Sequence, residues 1–240
     1  MGLRERRKQE ARQAISAAAM ALFAAKGFDE VTISRVADAA GVSKMTVTNY
    51  FPRKEDLVFD RAEVVIGSLA EAAAARAAGE SLLAAIRRDY AERVAVGDVT
   101  LGPPTATFAR MVTNSHMLAS RYREIADLRE QALGDVIVAE TGSDDPQQRI
   151  VAAQLASVHR VLFAEGTARA LAGQGRDEIC QVLTVAASRA FDLLEPSLGS
   201  YGIKAGPDRA HPGGRMGKAH SPTRALHRFS SQRPGSDHES

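Results

Sequence analysis

From residue 32 to residue 51 a small residue, a glycine and a buried-type β-branched residue fall at Ala37, Gly41 and Val47, a spacing that few folds accommodate. Two helices that cross closely need a small side chain where their backbones meet, a left-handed residue in the turn, and an apolar wedge to fix the angle. Ala37 meets the first need and Gly41 the second, while Ile33, Val36, Ala40, Val42 and Val47 form the wedge. The pattern predicts two short helices, Ile33 to Ala40 and Lys44 to Tyr50, with Thr32 and Ser43 as their N-caps. It is a helix-turn-helix.

The second helix, Lys44-Met45-Thr46-Val47-Thr48-Asn49-Tyr50, has one residue to bury and several short polar ones. Short side chains let a helix axis approach base edges, Asn pairs bidentately with adenine, Lys reaches guanine or phosphate, and Thr methyls touch thymine. Lys44, Met45, Thr46, Thr48 and Asn49 are therefore the candidate groove contacts. Thr32, Ser43, Tyr50 and Lys54 are better placed for phosphates. A packed bundle with ordinary surface charge explains the helices but not the coincidence of small residue, glycine, wedge and both caps.

Beyond this segment, apolar residues keep a three-and-four spacing to residue 198, and strand-like alternation is missing. The chain reads as all-α. A first helix from about Glu5 to Lys26 places Ile15, Ala18, Leu22 and Phe23 on one face, stops at Gly27, and is plugged by Phe28. Further helices are expected at Arg53 to Ala78, Ser81 to Val96, Pro104 to Asn114 after Gly102 and Pro103, Leu118 to Glu140, Pro146 to Ala172, and Asp177 to Leu194. From Gly199 the texture turns to Gly, Pro, Ser, His and Arg without period, which predicts a disordered basic tail. Charge follows these divisions: residues 1 to 60 carry +2, residues 61 to 198 carry −4, and residues 199 to 240 carry +4.

The ordered positions Leu22-Phe23, Gly27-Phe28, Thr32, Val36-Ala37, Ala40-Gly41-Val42-Ser43, Asn49-Tyr50-Phe51-Pro52 and Lys54-Glu55-Asp56-Leu57 resemble the TetR family of bacterial regulators. The resemblance covers residues 10 to 60 closely. It implies an N-terminal three-helix helix-turn-helix DNA-binding domain, residues 1–53 with a basic N-terminal arm. That domain would join a larger helical ligand-binding and dimerisation domain, residues 54–198, followed by the tail, 199–240. It also implies a four-helix dimer interface built from the last two helices of each subunit. Many members are repressors released by a small ligand. Met45 and Thr48 depart from the glycine or proline and the tyrosine that such proteins commonly carry there, so the resemblance does not extend to the operator sequence.

A sensing cavity is expected between the middle helices, with Tyr90, Arg110, Asn114, His116 and His159 as polar groups and Phe108, Met111 and Phe163 as apolar lining. His159 lies in the apolar stretch Leu155 to Leu162, where a histidine is more often a satisfied core residue than a ligand contact. Arg110 and Asn114, four apart, share a face that suits a carbonyl or carboxylate, and a surface salt bridge explains Arg110 equally well. Leu155, Val158, Leu162, Val182, Leu183, Val185, Ala186 and Phe191 offer more apolar surface than a two-helix face needs, which suits a homodimer and hence a palindromic operator in double-stranded DNA.

Neither a phosphate loop, a His-Glu metal pair at helical spacing, nor a catalytic triad is apparent, so an enzyme is not expected and no cofactor or metal is assigned. Four tail histidines, His211, His220, His227 and His238, are spaced too widely for a compact ligand set. A single cysteine, Cys180, reads as core packing; with a polar start and no long apolar run, it suggests a cytoplasmic protein away from membranes. The expected function is a homodimeric, sequence-specific transcriptional regulator, a repressor released by a small-molecule effector. A regulator without an inducer, an activator, and a helical enzyme or scaffold are the alternatives.

Overall fold

The computed structural model describes residues 2–96, 98 and 104–205. Its described residues form α1 (Leu3–Lys26), α2 (Ile33–Ala40), α3 (Lys44–Tyr50), α4 (Ala62–Ala74), α5 (Leu82–Ala95), α6 (Ala106–Asn114), α7 (His116–Thr141), α8 (Pro146–Leu171) and α9 (Arg176–Leu198). The protein is all-α, with no strand among the described residues. None of these helices is long and apolar enough to cross a membrane.

Local chemistry sets the boundaries. Thr32 Oγ1 accepts from the Arg35 amide at 3.3 Å and Ser43 Oγ from the Thr46 amide at 3.0 Å, so both expected caps are formed. Gly41, at φ 66°, takes the left-handed turn between α2 and α3 that a side chain would strain. Ser81, Thr105 and Asp145 cap α5, α6 and α8 in the same way, and Pro146 opens α8 where its missing N–H costs nothing.

One expected element is different. In place of a helix from Arg53 to Ala78, a 3-10 turn (Lys54–Leu57) precedes α4. Asp56 Oδ2 accepts from the Arg53 amide at 3.2 Å and fixes that turn, which buries the consecutive residues Leu57 and Val58 as one straight helix face would not. α9 runs a turn beyond its expected end, through Pro196 to Leu198.

Apolar burial divides into two clusters. The first joins Ile15, Phe23 and Phe28 to Val36, Val47, Phe51 and Leu57, and extends onto Met111 and Val112 of α6 and Leu118 of α7. Phe28 closes it against Phe23 with ring centroids 5.0 Å apart. The second lies among α4, α5, α7, α8 and α9, centred on Leu69, Leu83, Ile86, Leu133, Leu155 and Phe191. Polar ties reinforce the first cluster's hold on the second layer of helices: Arg121 of α7 meets Asp56 at 2.8 Å, Arg53 meets Glu124 at 2.7 Å, and Ser115 Oγ donates to Asp29 at 3.0 Å.

The packed chain continues past Gly199, where the tail was expected to begin. Tyr201 packs on the second cluster, its carbonyl accepts from the Leu82 amide at 3.2 Å, and Lys204 exchanges bonds with Gly79 (2.9 Å) and Glu80 (3.1 Å). Gly202, at φ 61°, leaves no room for a side chain, since a Cβ there would stand 2.6 Å from Leu82. Residues 206–240, with their four histidines, and the expected breakers Gly102 and Pro103 lie outside the described residues.

Candidate nucleic-acid interface and internal cavity

On α3 a single side chain is committed to the interior: Val47 is fully buried beside Phe51. Lys44, Met45, Thr48 and Asn49 are exposed, with Met45 at 69%, and Thr46 and Tyr50 are half-buried. Ser43 Oγ lies 2.8 Å from Thr46 Oγ1, and Thr48 Oγ1 donates to the carbonyls of Met45 (3.0 Å) and Lys44 (3.3 Å), which leaves the Thr48 methyl as that side chain's unengaged group. Thr32 is exposed at the start of α2.

Behind α3, Arg12 of α1 acts as a staple. Its Nη1 donates to the Tyr50 carbonyl at 3.1 Å, its Nη2 to the Asp60 carbonyl at 3.0 Å, and its guanidinium lies 4.6 Å over the Phe51 ring. Lys54, expected to reach phosphate, is turned inward instead. Its Nζ donates to the carbonyl of Phe28 at 2.6 Å and lies 4.2 Å over the Phe28 ring. Burial lowers the Lys54 pKa, against the opposing charges of Asp29, Glu55 and Glu30. The ammonium closes the loop after α1, as a C-terminal cation does at a helix end.

A cavity of about 350 Å³ opens beneath this domain, walled by α1, the α4 start, α5, α6, α7 and α8. The expected cavity residues separate. Tyr90, Phe108, His159 and Phe163 line it, whereas Arg110, Met111 and Asn114 border a different groove beside Phe28 and Asp29. His116, exposed at the start of α7, lines neither. Helical geometry explains the division of α6: Phe108 and Arg110 are two residues, about 200°, apart, while Asn114 follows Arg110 on the same outer side.

The other lining residues were not anticipated from the sequence, Tyr122, Ser16 and Arg129 among them. Tyr122 stacks on Phe163 at 4.3 Å, Ser16 donates to the Leu57 carbonyl at 3.3 Å, and Arg129 stands on the inward stripe of α7 with Leu118, Ile125 and Leu133. An arginine within an apolar stripe of four-three-four spacing was the available signal.

Arg129 is only 5% exposed, its Nε has no hydrogen-bond partner, and no carboxylate pairs with it among the described residues. Burial lowers its pKa, only partly countered by Tyr122. His159, 3% exposed, leaves both ring nitrogens unpartnered. Burial first, then the charges of Arg129 and Arg93, hold its pKa well below 6.5, so the ring is neutral near pH 7. The Tyr90 hydroxyl is also unpartnered, its pKa pushed up to about 12 by burial, and its ring meets His159 edge-on at 5.2 Å. Tyr122 is likewise held protonated, pushed up to about 12 by burial.

With an exposed polar helix on a capped helix-turn-helix, the molecule falls in the class of DNA-binding transcriptional regulators. A family model described as bacterial regulatory proteins, tetR family, matches residues 15–60. The HTH-type transcriptional regulator TcmR of Streptomyces glaucescens is 28% identical over 205 residues, 82% of this chain and 88% of that protein. A crystal structure from Syntrophomonas wolfei, described as a TetR-family transcriptional regulator, has a TM-score of 0.52 at 17% identity, covering 77% of this chain and 96% of that one, and shares the fold. The chain is thus similar to TetR-family regulators, most specifically over residues 15–60.

Proposed function

We propose that the protein is a homodimeric repressor that binds a palindromic operator through α3 and is released by a small molecule held in the internal cavity. The observation that carries the reading is the division of α3: Val47 anchors it, while Lys44, Met45, Thr48 and Asn49 face outward from a helix fixed by the Ser43 cap. Asn49 and Lys44 are assigned to base edges, Met45, Thr46 and Thr48 to apolar and van der Waals contact, and Thr32, Ser43 and Tyr50 to phosphates. Lys54 is omitted, since its ammonium serves the loop after α1.

For dimerisation, most of the expected residues, Leu155, Val158, Leu162, Leu183 and Phe191, belong to the chain's own core. The exposed apolar residues of the last two helices are Ile150, Val161 and Leu171 on α8 and Val185 and Leu193 on α9. On α8 these fall at positions 150, 161 and 171 of a row that includes 154, 157, 164 and 168, the spacing of a helix-packing seam. A second copy suits this face.

Release needs a ligand with different affinity for the two placements of α3. The cavity wall includes Ser16 and Met20 of α1 and Asp60, so an occupant touches the DNA-binding domain directly. Arg12 ties the Asp60 carbonyl to that of Tyr50, giving movement of the wall a short route to α3.

The test is binding of the full chain to a selected duplex and to a scrambled one at several salt concentrations. Asn49→Ala is expected to lose about tenfold or more on the selected duplex and little on the scrambled one, because a good base contact is worth about 1–3 kcal/mol. Absence of any binding at low salt contradicts the reading, since phosphate contacts alone bind there.

A further inference from the structure

The internal cavity contains three donor groups that the protein leaves unused: the Arg129 guanidinium, the Tyr90 hydroxyl and one N–H of His159. A guanidinium taken out of water without a partner is costly, and buried charges are otherwise paired. The carboxylate among the lining residues, Asp60, receives a bond from Ser16 Oγ at 3.3 Å and does not pair with Arg129. Arg61 and Arg176 also line the cavity but are exposed, where solvent screens their charge. Arg129 is thus the one desolvated charge among the described residues that line the cavity.

We propose that the effector is a largely apolar molecule carrying a single oxyanion, of carboxylate or phenolate kind, that pairs with Arg129; this rests on the proposed ligand-released function. One negative charge matches one buried guanidinium. Tyr90 and His159 are neutral donors that supply hydrogen bonds to the same head group without calling for a second charge. The remaining wall, with Val58, Val65, Ile125, Leu162, Phe59 and Phe108, offers the body of the ligand an apolar and aromatic surface. A cation would meet Arg129 unfavourably. A wholly apolar ligand would leave three donors buried and unpaired.

The test uses two fluorescent probes of nearly the same shape, 8-anilino-1-naphthalenesulfonate, which is anionic, and N-phenyl-1-naphthylamine, which is neutral. Titrated into the full chain, the anionic probe is expected to bind about tenfold or more tightly than the neutral one, as expected for a desolvated charge pair. Arg129→Met removes that preference by weakening the anionic probe alone, and Arg129→Lys retains part of it. A folded Arg129→Met protein with an unchanged ratio overturns the proposal; should that variant fail to fold, Arg129→Gln is read by the same two outcomes. Equal binding of both probes to the unaltered chain, lost from both in Ile125→Trp, overturns the anionic class and leaves the ligand-released function standing. Failure of both probes to bind the unaltered chain overturns the anionic class and the ligand-released function together.

Discussion

Two buried arginines divide the larger helical layer into a finished region and an unfinished one. Arg76, 4% exposed just beyond α4, donates to the Gly202 carbonyl at 3.0 Å, to the Ala73 carbonyl, and to both carboxylate oxygens of Glu140. Arg129, as deeply buried, has none of these. The same chain that surrounds one guanidinium with acceptors leaves the other facing a cavity beside two more unpartnered polar groups. Full satisfaction marks a structural corner, where α4, α7 and residues 201–204 are fastened. Consistent lack of it marks a place kept for something else.

The two sites are expected to respond to mutation with opposite sign. Arg76→Met should lower stability by about 3 kcal/mol, because it removes the buried guanidinium's bonds to Glu140 and to two carbonyls; urea denaturation followed by circular dichroism measures it. The corner's chain partner gives the next effect. A chain ending at Leu198 should melt several degrees below one ending at Ala205, by about 2 kcal/mol, since it loses the bonds from residues 201–204 to Arg76, Gly79, Glu80 and Leu82. Equal melting temperatures would reduce the corner to a surface contact.

Arg129→Met should instead stabilise the ligand-free chain, by about 1 kcal/mol or roughly 2–4 °C, as the unpaired charge is replaced by an apolar side chain of similar length. A destabilised variant would mean that Arg129 is structural and the contrast with Arg76 is false. His159 gives the smallest effect. Its folded pKa lies well below 6.5, so the unfolded chain gains a proton first and stability falls as pH drops below the unfolded value. The groups bearing on it are Arg129, Arg93 and the neutral Tyr90. His159→Leu should remove about 1 kcal/mol of the stability lost between about pH 7.5 and about pH 5.5, read from melting curves at both.

The helix-turn-helix was legible because its determinants are local. A cap acts over three residues, Gly41 needs only its own φ, and Ala37 and Val47 lie within ten positions of each other. The cavity was half legible for the converse reason. Its walls come from Ser16 and Asp60 as well as from Tyr90, Tyr122, Arg129 and His159, and no periodicity in one helix announces which faces of five others will meet it. Arg110 and Asn114 had the right chemistry on the wrong side of α6. Lys54 had the right charge, yet its partners, the Phe28 and Asp29 carbonyls, lie some 25 residues earlier in the sequence and become visible only when the chain has folded. The histidine at position 159 was open between a satisfied core residue and a ligand contact. It is deeply buried and unsatisfied, which favours the second.

Selection of duplex DNA from a randomised pool by the full chain tests the account most directly. The expected result is an enriched inverted repeat whose half-sites lie a helical turn or more apart, bound less tightly as salt rises and no longer enriched by Asn49→Ala. A pool that stays random through successive rounds at low salt would contradict the claim that α3 reads DNA.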